Sequence, residues 1–208
     1  MSTPTLKRLL GTAALALALA ACKDSTGSGD NPSGALSFTY TGAETGDFVA
    51  TGSYDPDAND LPDYSAAFVV QGKLAVLASD KLASGRSNLF VLYVPPSVGI
   101  TTCTAATQES ACPIRGEFLT GVSSDPNQGN TGLYTGYVGN VQVTEIADNR
   151  VRGTFSITLH RGEAPEGTIE VRTGSFDAPV VSALQLNPNR GLFPLAAAPI
   201  FSRARTFR

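Results

Sequence analysis

Tryptophan is absent from this 208-residue chain, histidine and methionine occur once each, and only 16% of the residues are charged. Sugar-binding β-modules often stack their ligands on tryptophan, so its absence disfavours that class. The single histidine, His160, excludes a multi-histidine metal site and is the only base available to a serine–histidine–aspartate triad. Basic residues number 15 against 18 acidic ones and form no stripe, so we expect no nucleic-acid partner.

Long apolar runs are also scarce, and the one near the N-terminus stops at a cysteine. Lys7 and Arg8 precede this run, and small residues lead up to Cys22. A charged start, a short apolar segment and small residues before a cleavage point are the order of a secretory signal peptide. Residues 6–21 are short for a transmembrane helix, which needs ~20 apolar residues. We therefore predict a signal helix, removed from the mature protein, over residues 1–21.

The residues around Cys22 distinguish two kinds of secretory signal. The sequence "LAAC" resembles the lipobox of bacterial lipoproteins. By that resemblance Cys22 becomes the first mature residue and carries acyl chains that anchor the protein in a membrane. Residues 22–34, rich in glycine, serine and aspartate, then form a flexible tether. A lysine directly after the cysteine, here Lys23, resembles the pattern of lipoproteins that are sent to the outer membrane. The alternative is an ordinary secretory signal that lies near a cysteine by coincidence.

Two further cysteines, Cys103 and Cys112, lie in "TTCTAATQESACP". Export to an oxidising compartment favours a disulfide between them. Closing so short a loop would stabilise the fold by ~2–3 kcal/mol in the chain-entropy model. The alternatives are two unpaired thiols or a metal site, although the spacing matches no common zinc pattern. We predict a structural disulfide that staples a loop between strands.

Apolar residues recur with a period of two along most of the mature chain, which is typical of strands with one buried face. In "DFVATGSY", for example, Phe48, Ala50 and Tyr54 share one face. "KLAVLAS" and "NLFVLYV" are apolar on both faces and predict central strands, joined by a hairpin. The predicted strands are 35–42, 47–54, 65–71, 73–79, 88–94, 114–120, 132–138, 140–147, 151–160 and 167–176. This pattern predicts a single all-β domain over 35–180, an antiparallel β-sandwich or barrel of roughly eight to ten strands.

Two Gly-x-Phe sequences stand near the end of this region, in "ADNRVRGTFSITL" and "GTIEVRTGSFDAPV". They resemble the C-terminal half of small bacterial lipoproteins that form a family of unknown function. The resemblance places Gly153 with Phe155, and Gly174 with Phe176, at the positions of the family pattern. It implies an exported β-protein and no particular activity. We expect both phenylalanines to anchor the core and Gly174 to mark a β-bulge.

The segment "YDPDANDLPDY" carries a low-specificity signal for calcium. The candidate ligands are Asp55, Asp57, Asn59 and Asp63. Their near-alternating spacing lets oxygens converge on one ion and resembles a single thrombospondin type 3 repeat. Asp60 replaces the glycine that normally permits the turn, and an EF-hand would need glutamate where Ala66 stands. The alternative is a solvated acidic loop without any cofactor.

Three functional hypotheses follow from these observations. The first is a lipid-anchored envelope lipoprotein with a non-catalytic binding or structural role, attached to the membrane and with another envelope component as a candidate partner. The second is a calcium-stabilised adhesion module, and the third is a hydrolase whose carboxylate pair no motif identifies. Three glutamates are interpreted as surface acids: Glu109, Glu117 and Glu145. Residues 181–208 are predicted to be a loosely ordered extension.

Overall fold

A computed structural model describes residues 32–55, 58, 62–70, 73–123, 125, 128–162 and 167–181. The strands are β1 (Gly34–Gly42), β2 (Gly46–Gly52), β3 (Tyr64–Val70), β4 (Lys73–Lys81), β5 (Ser87–Val94), β6 (Gly99–Cys103), β7 (Arg115–Val122), β8 (Gly132–Ala147), β9 (Arg150–His160) and β10 (Thr168–Pro179). A short 3-10 helix, Glu109–Ala111, lies between β6 and β7. Within the described ranges no helix has the length and apolar character to cross a membrane. The predicted signal helix, most of the tether and the extension beyond residue 181 lie outside these ranges.

All ten strands belong to one antiparallel sheet. Its order is β2-β1-β10-β9-β8-β7-β5-β4-β3, and β6 pairs with β8 beside this path. Most neighbours in the sheet are also neighbours in sequence, as in an up-and-down meander. The sheet curls until its two edge strands, β2 and β3, contact each other, so that it is nearly closed into a barrel. The all-β antiparallel prediction is confirmed, and the barrel is the better description.

Aromatic rings fill the interior of the barrel. Phe38 on β1 lies 4.8 Å, between ring centroids, from both Phe48 on β2 and Phe90 on β5. Phe90 in turn stacks on Phe155 of β9 at 5.4 Å. These four rings are at most 3% exposed. Each aromatic side chain removes a large apolar area from water, so this cluster contributes strongly to the hydrophobic stabilisation of the fold.

The two halves of the sheet differ in how far their outward side chains are exposed to water. We call β1, β2, β8, β9 and β10 the alternating wall, because buried and more exposed side chains take turns along much of each strand. We call β3, β4, β5 and β7 the doubly buried wall. All eight residues of β5 are buried, as are six consecutive residues of β4. The prediction that 73–79 and 88–94 are apolar on both faces and joined by a hairpin is confirmed.

The two Gly-x-Phe sequences pair with each other across β9 and β10. Phe155 lies opposite Gly174, and Phe176 lies opposite Gly153. A Cβ on Gly174 would lie 2.3 Å from the ring of Phe155, and one on Gly153 would lie 2.5 Å from the ring of Phe176. Each glycine thus leaves room for the phenylalanine of the other strand. Both rings are 3% exposed and the register shifts before Gly174, so the predicted anchors and bulge are confirmed.

The barrel closes where β3 crosses the ends of three other strands. The contacts along this crossing are Gly52 with Asp63, Gly34 with Ser65, and Val180 with Ala67. A Cβ on Gly34 would lie 2.1 Å from the carbonyl oxygen of Ser65. Gly52 has a φ of 137°, which side chains rarely adopt. Glycine is therefore required for the close approach at one position and for the backbone conformation at the other.

Tyr54 does not share a face with the interior side chains of β2, so this prediction is wrong. The strand ends at Gly52, whose positive φ interrupts the alternation. Tyr54 instead packs on the outer surface of β3, with its ring 5.3 Å from that of Tyr64 and 5.6 Å from that of Phe68. A periodicity of two holds only as far as the strand continues.

The region of β8 differs from the prediction in two ways. The segments 132–138 and 140–147 form one strand of 16 residues, because Gly139 serves a close approach to Ser156 rather than a turn. Strand β6 is not predicted, since "GITTC" is short and mostly polar. It pairs with Gly139–Val143, whereas β7 pairs with Gly132–Gly136. β6 and β7 therefore follow one another along the same edge of β8.

The disulfide closes the excursion that separates β6 from β7. Cys103 ends β6, and Cys112 precedes β7 by two residues. The two cysteines are 3% and 8% exposed and belong to the main core cluster. The predicted disulfide is confirmed. It fixes the distance between two strand segments that must align along β8.

Candidate functional site

The two ends of the barrel carry different groups. At one, the terminal end, β1 starts beside the end of β10, so both ends of the described core leave there. Arg150 ties them together, because its guanidinium donates to the carbonyl of Ser33 at 3.1 Å and to Oδ1 of Asp177 at 2.8 Å. The opposite end, which we call the acidic end, is formed by the described residues of the connections that follow β1, β4, β7 and β9.

Tyrosines and carboxylates meet at the acidic end. The hydroxyl of Tyr134, at the start of β8, donates to Oε1 of Glu44 at 2.7 Å. Burial and this hydrogen bond raise the pKa of Tyr134. The pKa of Tyr40 is also raised, mainly by burial and further by the charges of Glu44, Asp80 and Asp47. Both phenols are therefore neutral near pH 7, and the hydroxyl of Tyr134 is the one shown to donate a hydrogen bond.

Asp80, at the end of β4, is a partly desolvated carboxylate. Desolvation raises its pKa, the backbone N–H of Val49 lowers it, and the nearby Asp63 raises it again. Oδ1 of Asp63 accepts a hydrogen bond from the backbone N–H of Lys81.

Two arginines at the acidic end donate hydrogen bonds to backbone carbonyl groups of described residues. Arg86 donates to the carbonyl oxygens of Gly121 and Gly129, both at 2.6 Å. Arg161 donates to the carbonyl oxygen of Thr131 at 3.0 Å. These bonds fix the connection between β7 and β8. The acids Glu44 and Asp47 remain half-buried and exposed, respectively, on the neighbouring turn.

Glu117 is not a surface acid, and that interpretation is wrong. It is 1% exposed although it lies on the outer surface of β7, because this wall is buried on both faces. Arg115 pairs with Glu117 at 2.9 Å and with Glu109 of the 3-10 helix at 2.7 Å. On β5, burial and the charge of Glu117 raise the pKa of Tyr93. The cluster ties the disulfide loop to the sheet.

The other two acids agree with the surface interpretation only in part. Glu109 is exposed on the disulfide loop. Glu145 is half-buried and pairs with Arg152 at 2.5 Å. This pair lies on the outer surface of the alternating wall, where charged side chains reach water.

Of the four candidate calcium ligands, the structure describes two. Asp55 is exposed just after β2, and Asp63 is exposed just before β3. Asp57 and Asn59 lie outside the described residues. Among the residues that are described, no three histidine, cysteine or acidic side chains converge as a metal-binding group. The calcium hypothesis stays a prediction.

Two more residues complete the comparison with the sequence. Cys22 lies outside the described ranges, so its lipidation stays a prediction. His160 is exposed at the end of β9, where its Nδ1 lies 2.9 Å from the hydroxyl of Thr168. The side chain of His160 therefore lies on the exposed face of this strand.

Sequence reasoning missed the acidic end, although a signal for it existed. In an antiparallel meander, alternate connections meet at the same end of the sheet. Glu44 and Arg161, in the connections after β1 and β9, and Asp80, at the end of β4, could have been assigned to one end on that basis. The burial of Tyr134 beside them depends on side-chain packing, which the strand pattern does not reveal.

Chemically, this arrangement offers the carboxylates of Glu44, Asp80 and Asp47 on a rigid frame, and carboxylates can accept hydrogen bonds from a cationic group. The sequence matches no protein-family model, and no curated protein or solved structure matches it.

Proposed function

We propose that the protein is a lipid-anchored lipoprotein of the bacterial cell envelope whose β domain is a non-catalytic binding or structural module. The "LAAC" sequence after a signal-like segment supports attachment to the membrane through Cys22. The residue after Cys22, Lys23, supports a location at the outer membrane. The resemblance of the paired Gly-x-Phe strands to bacterial lipoproteins of unknown function supports the same location.

One observation carries the proposed orientation: both ends of the described core leave the barrel at its terminal end. A tether of twelve residues, 23–34, spans ~19 Å on average as a flexible coil. The terminal end therefore faces the membrane, and the acidic end is presented away from it. A binding module anchored in this way exposes its acidic end to other envelope components.

The charge of that end selects the kind of partner. Glu44, Asp80 and Asp47 lie close enough to raise the pKa of the buried Tyr40. Complementary charges accelerate the encounter of two binding partners, and salt screens the attraction between them. We assign the acidic end to a basic segment of another envelope component.

Lipidation is tested on protein from the membrane fraction. Mass spectrometry is expected to find an N-terminal peptide that begins at Cys22 and carries acyl chains, and Cys22→Ser is expected to release the protein from the membrane. A mature form cleaved elsewhere, with an unmodified thiol at Cys22, would refute the anchor.

The binding end is tested by photo-crosslinking in intact cells. A photoreactive residue replaces exposed Asp47 at the acidic end or, as the matched control, exposed Asp148 in the turn between β8 and β9 at the terminal end. We expect a discrete protein adduct from position 47 that weakens as salt rises, and none from position 148. Equal adducts from both positions, or none from either, would contradict the assignment.

A further inference from the structure

The outer surface of the doubly buried wall is apolar and shielded from water. Its outward side chains on β3, β4 and β5 are Tyr64, Ala66, Phe68, Ala75, Leu77, Val91 and Tyr93, all at most 6% exposed. They alternate along these strands with the interior residues Ala67, Val76 and Leu92, so they point away from the barrel interior. We call these seven residues the outer cluster. On the alternating wall, the corresponding surface is polar and wet.

Something must cover this cluster from outside the sheet. The described apolar residues that pack on it from beyond the three strands are Tyr54 and Val181. Tyr54 contacts Tyr64 and Phe68, at the β3 side of the cluster. Two side chains from one edge do not shield the outward residues of β4 and β5, since each further strand lies ~4.8 Å away. A further apolar segment is required.

The course of the chain after β10 identifies that segment. Val180 pairs in parallel with Ala67 of β3, and the backbone N–H of Val181 donates to the carbonyl oxygen of Ala67 at 2.8 Å. Val181 packs on the outer cluster. The chain therefore passes the edge of β3 and reaches the outer surface just where its described part ends.

The residues that follow have the composition such a cover needs. Positions 192–201 read "LFPLAAAPIF", with no charged side chain. At ~3.3 Å per residue this stretch alone extends ~33 Å, more than twice the distance across β3, β4, β5 and β7. The proline residues at 194 and 199 suit an extended segment that lies on a sheet rather than a strand within it.

One polar group in the outer cluster points to a backbone partner. The hydroxyl of Tyr93 is buried and has no hydrogen-bond partner among the described residues. Buried polar groups in proteins are nearly always paired. An extended segment lying over β5 brings free carbonyl and N–H groups to this hydroxyl.

We infer that residues 182–208 are a strap that packs its apolar stretch, 192–201, on the outer cluster of the doubly buried wall. The strap covers the only described sheet surface that is apolar across neighbouring strands on both faces. It is independent of the proposed lipid anchor and of the acidic end.

Nitration of tyrosine tests the strap in residues 23–208, which are the mature chain without its lipidated Cys22 and are called the mature chain below. A five-serine variant replaces Leu192, Phe193, Leu195, Ile200 and Phe201 with serine. A control variant replaces Arg203, Arg205 and Arg208 with serine in the same segment. Tyr54, Tyr64 and Tyr93 report the outer cluster, while Tyr40 and Tyr134 report the barrel interior. Peptide mapping after treatment with tetranitromethane gives the rate at each tyrosine.

We expect all five tyrosines to react slowly in the mature chain and in the control variant. In the five-serine variant, the outer three are expected to react at least about tenfold faster, because they no longer need an opening event to meet the reagent. The interior two are expected to stay slow, which shows that the barrel is intact. Slow outer tyrosines in the five-serine variant, or fast ones in the mature chain, would overturn the strap. Protection that disappears on dilution would instead assign the surface to a second copy of the chain.

A second measurement does not depend on how the five-serine variant folds. A photoreactive residue replaces Phe193 in the otherwise intact mature chain. Illumination is expected to join it, within one chain, to peptides of β3, β4 or β5. Adducts to the alternating wall, adducts between chains, or the absence of any adduct would overturn the strap.

Discussion

The alternating wall and the doubly buried wall belong to one sheet and share one core, yet they meet their surroundings differently. On the alternating wall the outer surface carries threonines, serines and ion pairs, including the contacts of Asp177 with Arg150 and Arg152. On the doubly buried wall the outer surface carries tyrosine, leucine and valine side chains and the buried Glu117. The first wall is complete when its interior face is covered. The second needs a cover on both faces.

This difference shows that a strand that is apolar on both faces requires a further layer of the protein on the outer side of the sheet. Such strands are common in sheets covered on both faces by other elements. In this molecule the described layer outside the wall is limited to its edge, and the chain leaves the core toward that wall. The strap is the inference that completes the architecture.

The largest expected effect lies in the core that both walls share. Phe90→Ala removes a ring that contacts Phe38 and Phe155 and is 0% exposed. We expect the free energy of unfolding to fall by ~3–5 kcal/mol, from lost burial and a cavity that does not collapse. Chemical denaturation measures this. Val49→Ala, at a residue 53% exposed on β2, is the control and is expected to change little. A cost for Phe90→Ala no larger than that of the control would contradict the filled interior.

The second effect tests the junction between the walls. Changing both Cys103 and Cys112 to serine frees the loop between β6, which pairs with the alternating wall, and β7 of the doubly buried wall. We expect a loss of ~2–3 kcal/mol in the free energy of unfolding, with the fold retained. Chemical denaturation under non-reducing conditions gives the value. Reduction of the wild-type protein should produce the same loss, and an unchanged stability would show that the disulfide constrains nothing.

The third effect tests the crossing that closes the barrel. Gly52 and Gly99 have similar positive φ values, 137° and 147°. A Cβ on Gly52 would lie 2.6 Å from the carbonyl oxygen of Asp63, whereas a Cβ on Gly99 would meet nothing within 4 Å. Both alanine variants carry the backbone strain. Gly52→Ala is expected to be less stable than Gly99→Ala by ~1–3 kcal/mol, measured by thermal unfolding. Equal losses would place β3 farther from β2.

The smallest effect concerns the polar surface of the alternating wall. Desolvation raises the pKa of Asp177, but hydrogen bonds and charge from Arg150 and Arg152 outweigh it, so the pKa lies below its usual value. Such a carboxylate stabilises the fold above its unfolded pKa of ~3.9, and the contribution is lost as pH falls through the folded value. Because these groups are partly exposed, Asp177→Asn should cost at most ~1 kcal/mol at pH 7.

The pH dependence and its control distinguish this effect from packing. The difference between wild type and Asp177→Asn should shrink as pH falls below ~4, and it should also shrink in high salt. Asp148→Asn, in the exposed turn before β9, is expected to show neither trend. A difference that persists unchanged at low pH would assign the loss to shape rather than charge.

The sequence predicts the fold well where one strand's own pattern is sufficient. The alternation in "VRGTFSITLH" and the double burial of "NLFVLYV" follow from the residue types alone. The predictions fail where the structure of a segment depends on a neighbouring strand. Gly139 looks like a joint but permits close approach to β9, and Gly52 ends β2 so that Tyr54 changes surface.

The candidate site was less accessible to sequence reasoning. The acidic end brings together Glu44, in the turn after β1, and Asp80, at the end of β4, which are distant in sequence and meet only because of the meander. Glu117 follows an alternation that predicts an outward side chain, which is right, and a wet surface, which is wrong. Whether an outward residue meets water depends on what lies beyond the sheet.

The most direct test of the account compares two leucines of β4 in two backgrounds. Leu74 faces the interior and Leu77 faces outward, at 3% and 5% exposure. Each changed to alanine in the mature chain should cost ~2–5 kcal/mol in the free energy of unfolding, since both sites are packed. In the five-serine variant, Leu74→Ala should cost the same, while the cost of Leu77→Ala should fall to about half or less because its cover is gone. If Leu77→Ala costs the same in both backgrounds, the segment 192–201 does not cover the doubly buried wall.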